Sequence, residues 1–165
     1  MPVKDPKELF IRMLSDVRRG AERSTKFYQE LSELAEHQDV KETLNARVFV
    51  SDSIVKRLDE CFRLIGAQPA KMEGKLYDLF VEDFRRELAE IDSPEAKRLF
   101  ILIKASHMMH LRMGEYVALI AAADLTGHYG VGVLLETCLA DKRALIERTR
   151  QLIRERVAEK RTLAA

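Results

Sequence analysis

Tryptophan is absent from this chain, cysteine occurs twice, proline four times and glycine seven times, and aromatic residues make up only 7% of it. A sequence so poor in turn residues excludes all-β and collagen-like architectures. Cys61 and Cys138 form no spacing motif and are too few for a secreted disulfide scaffold, so both are expected as free thiols in a reducing cytoplasm. Charge of one sign is missing as well. With 28 Lys+Arg against 27 Asp+Glu, no global field selects nucleic acid or an anionic membrane as partner. The longest apolar runs, such as 117–123, fall far short of the ~20 residues of a bilayer span, and residues 1–6 lack the apolar centre of an export signal.

What the chain does contain is helix-forming and amphipathic. Its 165 residues are 47% apolar and 33% charged, which fits one all-α domain over 1–165. Asp5, Pro6 and Glu8 supply an N-cap acceptor, a preset φ and a capping-box acid. Asp39 and Glu42 repeat that spacing, and Gly66 with Pro69 ends the helix begun there. Ser93-Pro94 opens a further segment that closes at Thr126-Gly127. The punctuation predicts helices over about 6–36, 39–65, 74–91, 94–126 and 130–160.

Periodicity shows what these segments bury. Phe10, Leu14, Val17, Ala21, Ser24, Tyr28, Leu31 and Ala35 alternate steps of four and three, a bundle seam. Leu44, Arg47, Ser51, Ile54, Leu58, Cys61 and Ile65 form a second. Leu99, Leu102, Ser106, Met109, Met113, Tyr116, Ile120 and Ala123 form a third, and Val131, Leu134, Cys138, Leu145, Leu152 and Val157 a fourth. Between the second and third, Leu76, Phe80, Val81, Phe84 and Leu88 mark a shorter amphipathic helix. That connection is long enough to return the chain along the bundle, so the expected architecture is a ferritin-like four-helix bundle with an additional crossover helix. A plain up-and-down bundle with an appended helix fits the pattern too.

Polar residues interrupt the seams near the helix middles: Ser24, Arg47, Ser51, Ser106, and the region of Asp141 and Lys142. His110 and Arg112 flank the third seam beside Met109. Di-metal bundles fill such a layer with Glu and Glu-x-x-His, because hard cations need charged oxygen and imidazole. No Glu stands three residues before any of the four histidines, and His37 and His128 fall in expected turns. A soft copper site from His107, His110 and Met113 can be drawn. The simpler reading makes Met109 and Met113 core residues, His107 solvated, and His110 a core-edge imidazole with a hydrogen-bond partner. Tyr28 and Tyr116 read as packing residues whose hydroxyls find partners.

Several stretches resemble the YciF/YciE family of ferritin-like bacterial stress-response proteins: 5–10 (DPKELF), 58–69 (LDECFRLIGAQP), 110–116 (HLRMGEY) and 134–139 (LLETCL). The resemblance extends over about 5–155 and implies a ferritin-like bundle, often dimeric, with a metal layer. By position it implies acids or imidazoles where this chain has Ala21, Arg47, Met109 and Arg112. His110 and Tyr116 match the family pattern, and Asp141 falls in the last helix's acidic stretch. Such a departure implies a non-enzymatic structural or stress-associated protein with a degenerate di-metal site, no cofactor, and a polar cluster of Arg47, His110, Arg112 and Asp141 in the vestigial site.

Two readings of the arginines stand side by side. Either Arg47 and Arg112 take the place of cations and pair with Asp141 or Glu22, or both guanidiniums reach out to solvent. The other functional class is an iron- or manganese-dependent oxidoreductase using Glu22, His107, His110 and Asp141. Residues 142–161 carry eight Lys/Arg and three Glu, a local net of +5. Their apolar stripe reads as a solvated helix end, favoured by the macrodipole, before a nucleic-acid arm. The expected partner is a second copy of the chain, as a dimer, with neither membrane nor nucleic acid engaged.

Overall fold

The computed structural model describes residues 3–73 and 75–163, with side chains up to 155. Five helices follow in order: α1 Pro6–Leu34, α2 Gln38–Ile65, α3 Lys75–Ala89, α4 Pro94–Leu125 and α5 Tyr129–Leu163, with no strand among the described residues. Their limits match the punctuation. Asp5 Oδ1 accepts from Glu8 N at 2.8 Å at the start of α1, and Ser93 Oγ accepts from Ala96 N at the start of α4. Gly66 closes α2 at φ 65°, where Ala67 N donates to Phe62 O and Gly66 N to Arg63 O. Gly127 turns α4 into α5 at φ 75°. Asp39 departs from expectation. The N-cap of α2 is His37, with no side-chain cap bond, and Asp39 pairs across the bundle end with Arg98 of α4.

Neighbouring helices form a ring in which α1 packs on α2 and α4, and α5 packs on α2 and α4. Short links make α1–α2 and α4–α5 antiparallel. Asp39 at the start of α2 meets Arg98 at the start of α4, so these diagonal helices run parallel and the chain must return the full length of the bundle between them. The crossover does this along the α1–α4 side. Ala70 N donates to Ser15 Oγ, Tyr77 Oη donates to Arg23 O, and Phe84 packs edge-on against Phe27 and stacks on Phe100. The fold is the ferritin-like helical bundle, and the up-and-down alternative is set aside.

The first two seams are buried as expected, except that Ile65 at the end of the second is only half-buried. The third holds in part: Leu102, Met109, Tyr116 and Ala123 are buried as expected, whereas Leu99 is exposed and Ser106, Met113 and Ile120 are half-buried, because α4 also turns Ile101, Ala105, Met108, Arg112 and Leu119 inward. A helix apolar nearly all round gives periodicity little contrast from which to choose a face. In α5, Leu135 and Leu139 join Val131 and Cys138 in the core, while Leu134 and Leu152 are half-buried and Val157 lies outside the described side chains. In α3, Leu76 is exposed although its pattern placed it on the apolar stripe.

The core falls into two apolar clusters, one around Phe10, Leu14, Leu58, Leu119 and Leu135, the other around Phe27, Leu31, Leu44, Leu102 and Ile146. Between them lies a polar layer.

Candidate functional site: a buried cationic layer

Each core helix sends polar groups to this layer. On α2, Arg47 is fully buried; on α4, Arg112 is 7% exposed; on α5, Lys142 is 6% exposed and Thr149 is buried. On α1, Ser24 folds its hydroxyl back onto Gly20 O, which leaves a small, bare stretch of helix opposite the cations.

Arg47 donates through Nη1 to Ala105 O at 2.9 Å and through Nη2 to Thr149 Oγ1 at 2.5 Å, and its guanidinium lies over the Tyr28 ring. Arg112 donates through Nη2 to Val17 O at 3.2 Å and through Nη1 to Glu115 Oε1 at 2.9 Å. Helix carbonyls thus take much of the solvating role a carboxylate would play. Each already serves its own helix and has a second lone pair to offer. Lys142 sets its ammonium 5.2 Å from the centre of the Tyr116 ring.

Burial sets the electrostatics. It lowers the pKa of Arg47 and presses that of Lys142 down to about 8, with Arg112 pushing the latter the same way. Burial raises the Glu115 carboxyl against the pull of Arg112. It also raises Tyr116 and the Cys61 and Cys138 thiols, which are free and inert as expected of buried sulfur.

Of the anticipated cluster Arg47, His110, Arg112 and Asp141, the fold brings only the two arginines into the layer. His110 is exposed, and its Nδ1 meets Ser106 O one turn back on its own helix, so it is not a core-edge group. Asp141 is 37% exposed at its side chain and pairs with Arg57, not with Arg47 or Arg112. Glu22 is exposed and faces Arg18. Neither guanidinium reaches solvent, so the outward-reaching reading fails for both. The Tyr116 hydroxyl is buried without a hydrogen-bond partner, contrary to expectation.

Sequence reading passed over Gly20, Glu115 and Thr149 and left Lys142 without a role. Three of these had a signal. The α5 seam steps by seven from Cys138 to Leu145 and again to Leu152, and the skipped inner positions are Lys142 and Thr149. An isolated glycine inside a 29-residue helix was the third clue.

These groups do not suit a metal. Three buried cations repel a divalent ion, and among the described residues no three His, Cys, Asp or Glu side chains stand close enough to hold one. His107, exposed on the surface of α4, and His110 lie outside the layer.

A five-helix bundle with a full-length crossover has the ferritin-like fold. The chain belongs to the family described as a domain of unknown function, DUF892, whose model matches residues 5–162. Among solved structures it is similar to the Escherichia coli stress protein YciF, with TM-score 0.87 and 18% identity over 94% of this chain and 99% of that one. It is also similar to YcfI of Rhodopseudomonas palustris, proposed as a structural protein, with TM-score 0.85 and 22% identity over 90% and 94% of the two chains. A protein from Xanthomonas campestris matches with TM-score 0.73 and 18% identity over 94% and 95%. The recognition of the YciF family from short sequence words is supported by these findings. No curated protein matches the chain. Among the described residues no helix is long and apolar enough to cross a membrane.

Proposed function

We propose that this protein is a non-enzymatic, stress-associated structural bundle of the cytoplasm, and that its mid-core layer is a di-metal site made degenerate by cation substitution. The observation that carries the reading is the burial of Arg47, Arg112 and Lys142 in the core. A layer built this way holds the four helices together without bound metal and repels any that arrives. The fold shared with a stress protein and with a chain proposed as structural supports the biological half of the reading. Iron and manganese oxidoreduction through Glu22, His107, His110 and Asp141 draws no support, since all four are partly or fully exposed and none lies in the layer.

Self-association as a dimer belongs to the same proposal. The outer side of α4 keeps Leu111, Val117 and Leu125 exposed, an apolar helix face of the kind a second copy covers. Nucleic acid has no part in it.

Elemental analysis of the protein purified from iron- and manganese-supplemented cells tests the central claim. The expected result is no stoichiometric metal. A full equivalent of either ion, retained through dialysis, would refute it. Light scattering tests the dimer, and the protein's abundance before and after osmotic and oxidative stress in its host tests the stress association.

A further inference from the structure

The outward face of α4 differs from those of its neighbours in carrying no charge. The exposed faces of α1, α2 and α5 are set with ionised side chains such as Glu30, Lys56 and Glu147. Between Lys104 and Asp124 no exposed residue of α4 is charged. Arg112 is buried and Glu115 half-buried against it, and the outward positions hold leucine, valine, alanine, glycine and two histidines. In a chain that is 33% charged, about five turns of helix with no charge facing water mark a surface that is covered.

Gly114 sits at the centre of that face. A glycine inside a helix is destabilising relative to alanine, and the single chain gains nothing from this one. Its φ is negative, and a β-carbon built there would meet no atom within 4 Å. Gly20, by contrast, makes room for Arg112. What an open glycine permits is the close approach of another backbone. Beside it lies a groove of about 520 Å³ between α1, α4 and the crossover, lined by Leu9, Met13 and Met72 together with Leu111, Gly114 and Ala118 of α4. The charged residues of the groove, Arg12, Asp16 and Glu115, are of both signs and select no ion, so an apolar side chain is what it accepts.

We infer that α4 packs antiparallel against α4 of a second copy about a two-fold axis at Gly114. The pairing rests on the dimer proposed above and specifies its interface. Around such an axis, positions equally far before and after residue 114 face one another. His107 then meets Ala121 of the second copy and His110 meets Ala118, so each histidine lies against an alanine. The glycines let the helix axes approach to about 8 Å, the near end of the range for packed helices. Leu111 of each copy enters the groove over Gly114 and Ala118 of the other, and Ile103 and Leu125 close the two ends. A parallel pairing sets each histidine against itself and gains none of this fit. An unrelated partner would need the same alternation of bulk and an equal lack of charge, whereas a second copy has both by construction.

Analytical sedimentation of the full chain should show a dimer. Gly114→Leu places its side chain in open space within the single chain and should raise the dimer dissociation constant at least about thirtyfold, the scale of a residue at the centre of an interface. Ala118→Glu should do the same by putting a charge on the face, and Ala140→Glu on the outer side of α5 should leave the dimer unchanged. Thermal unfolding of each variant separates a lost interface from a lost fold. Gly114→Cys should form a disulfide between copies under oxidation, because the axis brings that position onto itself, and Ile103→Cys should cross-link only when mixed with Leu125→Cys. A wild-type chain that stays monomeric at every concentration would overturn this pairing and the dimer proposed above together. A dimer that survives both Gly114→Leu and Ala118→Glu overturns the pairing alone and leaves the dimer standing. Cross-linking of Ile103→Cys to itself means parallel helices and equally overturns it. Metal content is read in separate samples, so none of these outcomes bears on the metal-free reading of the core.

Discussion

The guanidinium of Arg112 fills the space that a β-carbon on Gly20 would occupy. A β-carbon built at Gly20 would stand 1.7 Å from Arg112 Nη2 and 2.2 Å from Cζ. The arginine cannot simply swing away, because Val17 O and Glu115 hold its two terminal nitrogens and its surroundings are core. Gly20 is therefore the place where α1 lets a charge from α4 reach its backbone.

Gly20→Ala tests that fit. In an open helix the change is worth about 1 kcal/mol of stability. Here it should destabilise by roughly 1–3 kcal/mol, as overpacking does. In the background of Arg112→Met the sign should reverse toward the helix-propensity gain. A denaturant double-mutant cycle measures the coupling, and purely additive effects would show that the two residues do not share the space.

Much of this arrangement could be read from the chain and some of it could not. The α1 seam was legible over all eight positions because the opposite face carries Lys7, Glu22, Lys26, Gln29 and Glu33, so the apolar stripe has a clear edge. The α4 seam was legible only at Leu102, Met109, Tyr116 and Ala123, because Leu99, Ile103, Leu111 and Val117 are apolar and yet face outward, which blurs the edge of the stripe. The spacing of Arg47 put it on a seam and left open whether its guanidinium stayed inside. Its partners could not be read, since carbonyl oxygens such as Ala105 O are identical in every helix and leave no mark in a sequence. Asp141 was expected in the core cluster because the family resemblance places an acidic stretch there, but adjacent residues on a helix diverge by about 100°, and it is Lys142 that points inward.

That divergence makes Asp141→Ala a mild change. Its ion pair with Arg57 sits at the surface, with side chains 37% and 29% exposed. Thermal or urea unfolding should register a loss below about 1 kcal/mol. A larger loss would mean that Asp141 supports the buried layer.

Arg47 should separate size from charge. Truncation to Ala opens a cavity and strands Thr149 and Tyr28 without their contact, and should cost about 3–5 kcal/mol. Arg47→Met keeps most of the volume and removes a buried charge, so it should be neutral or stabilising by about 1–4 kcal/mol. Urea midpoints of the two variants decide the matter. Equal losses in both would mean that the guanidinium hydrogen bonds, not packing, hold this part of the core.

The pH dependence of stability follows from Lys142 and its neighbours. In the fold its pKa is lowered to about 8 from an ordinary 10.5, by burial and by Arg112 and Arg47, with Cys138 and Glu115 opposing. The unfolded chain therefore holds more protons than the folded one above pH 8, and stability should climb as pH rises past that point. If carried through to 10.5, the gain would be on the order of 3 kcal/mol. It is cut short near pH 9, because Cys61, Cys138, Tyr77 and Tyr116 resist ionising in the fold and favour the unfolded state once their free counterparts deprotonate. The expected profile is a rise between about pH 8 and 9 followed by a fall, measured by urea unfolding at fixed ionic strength. Lys142→Met should remove the rise and keep the fall. A wild-type curve that only declines above pH 8 would show that Lys142 is not the strained cation of this core.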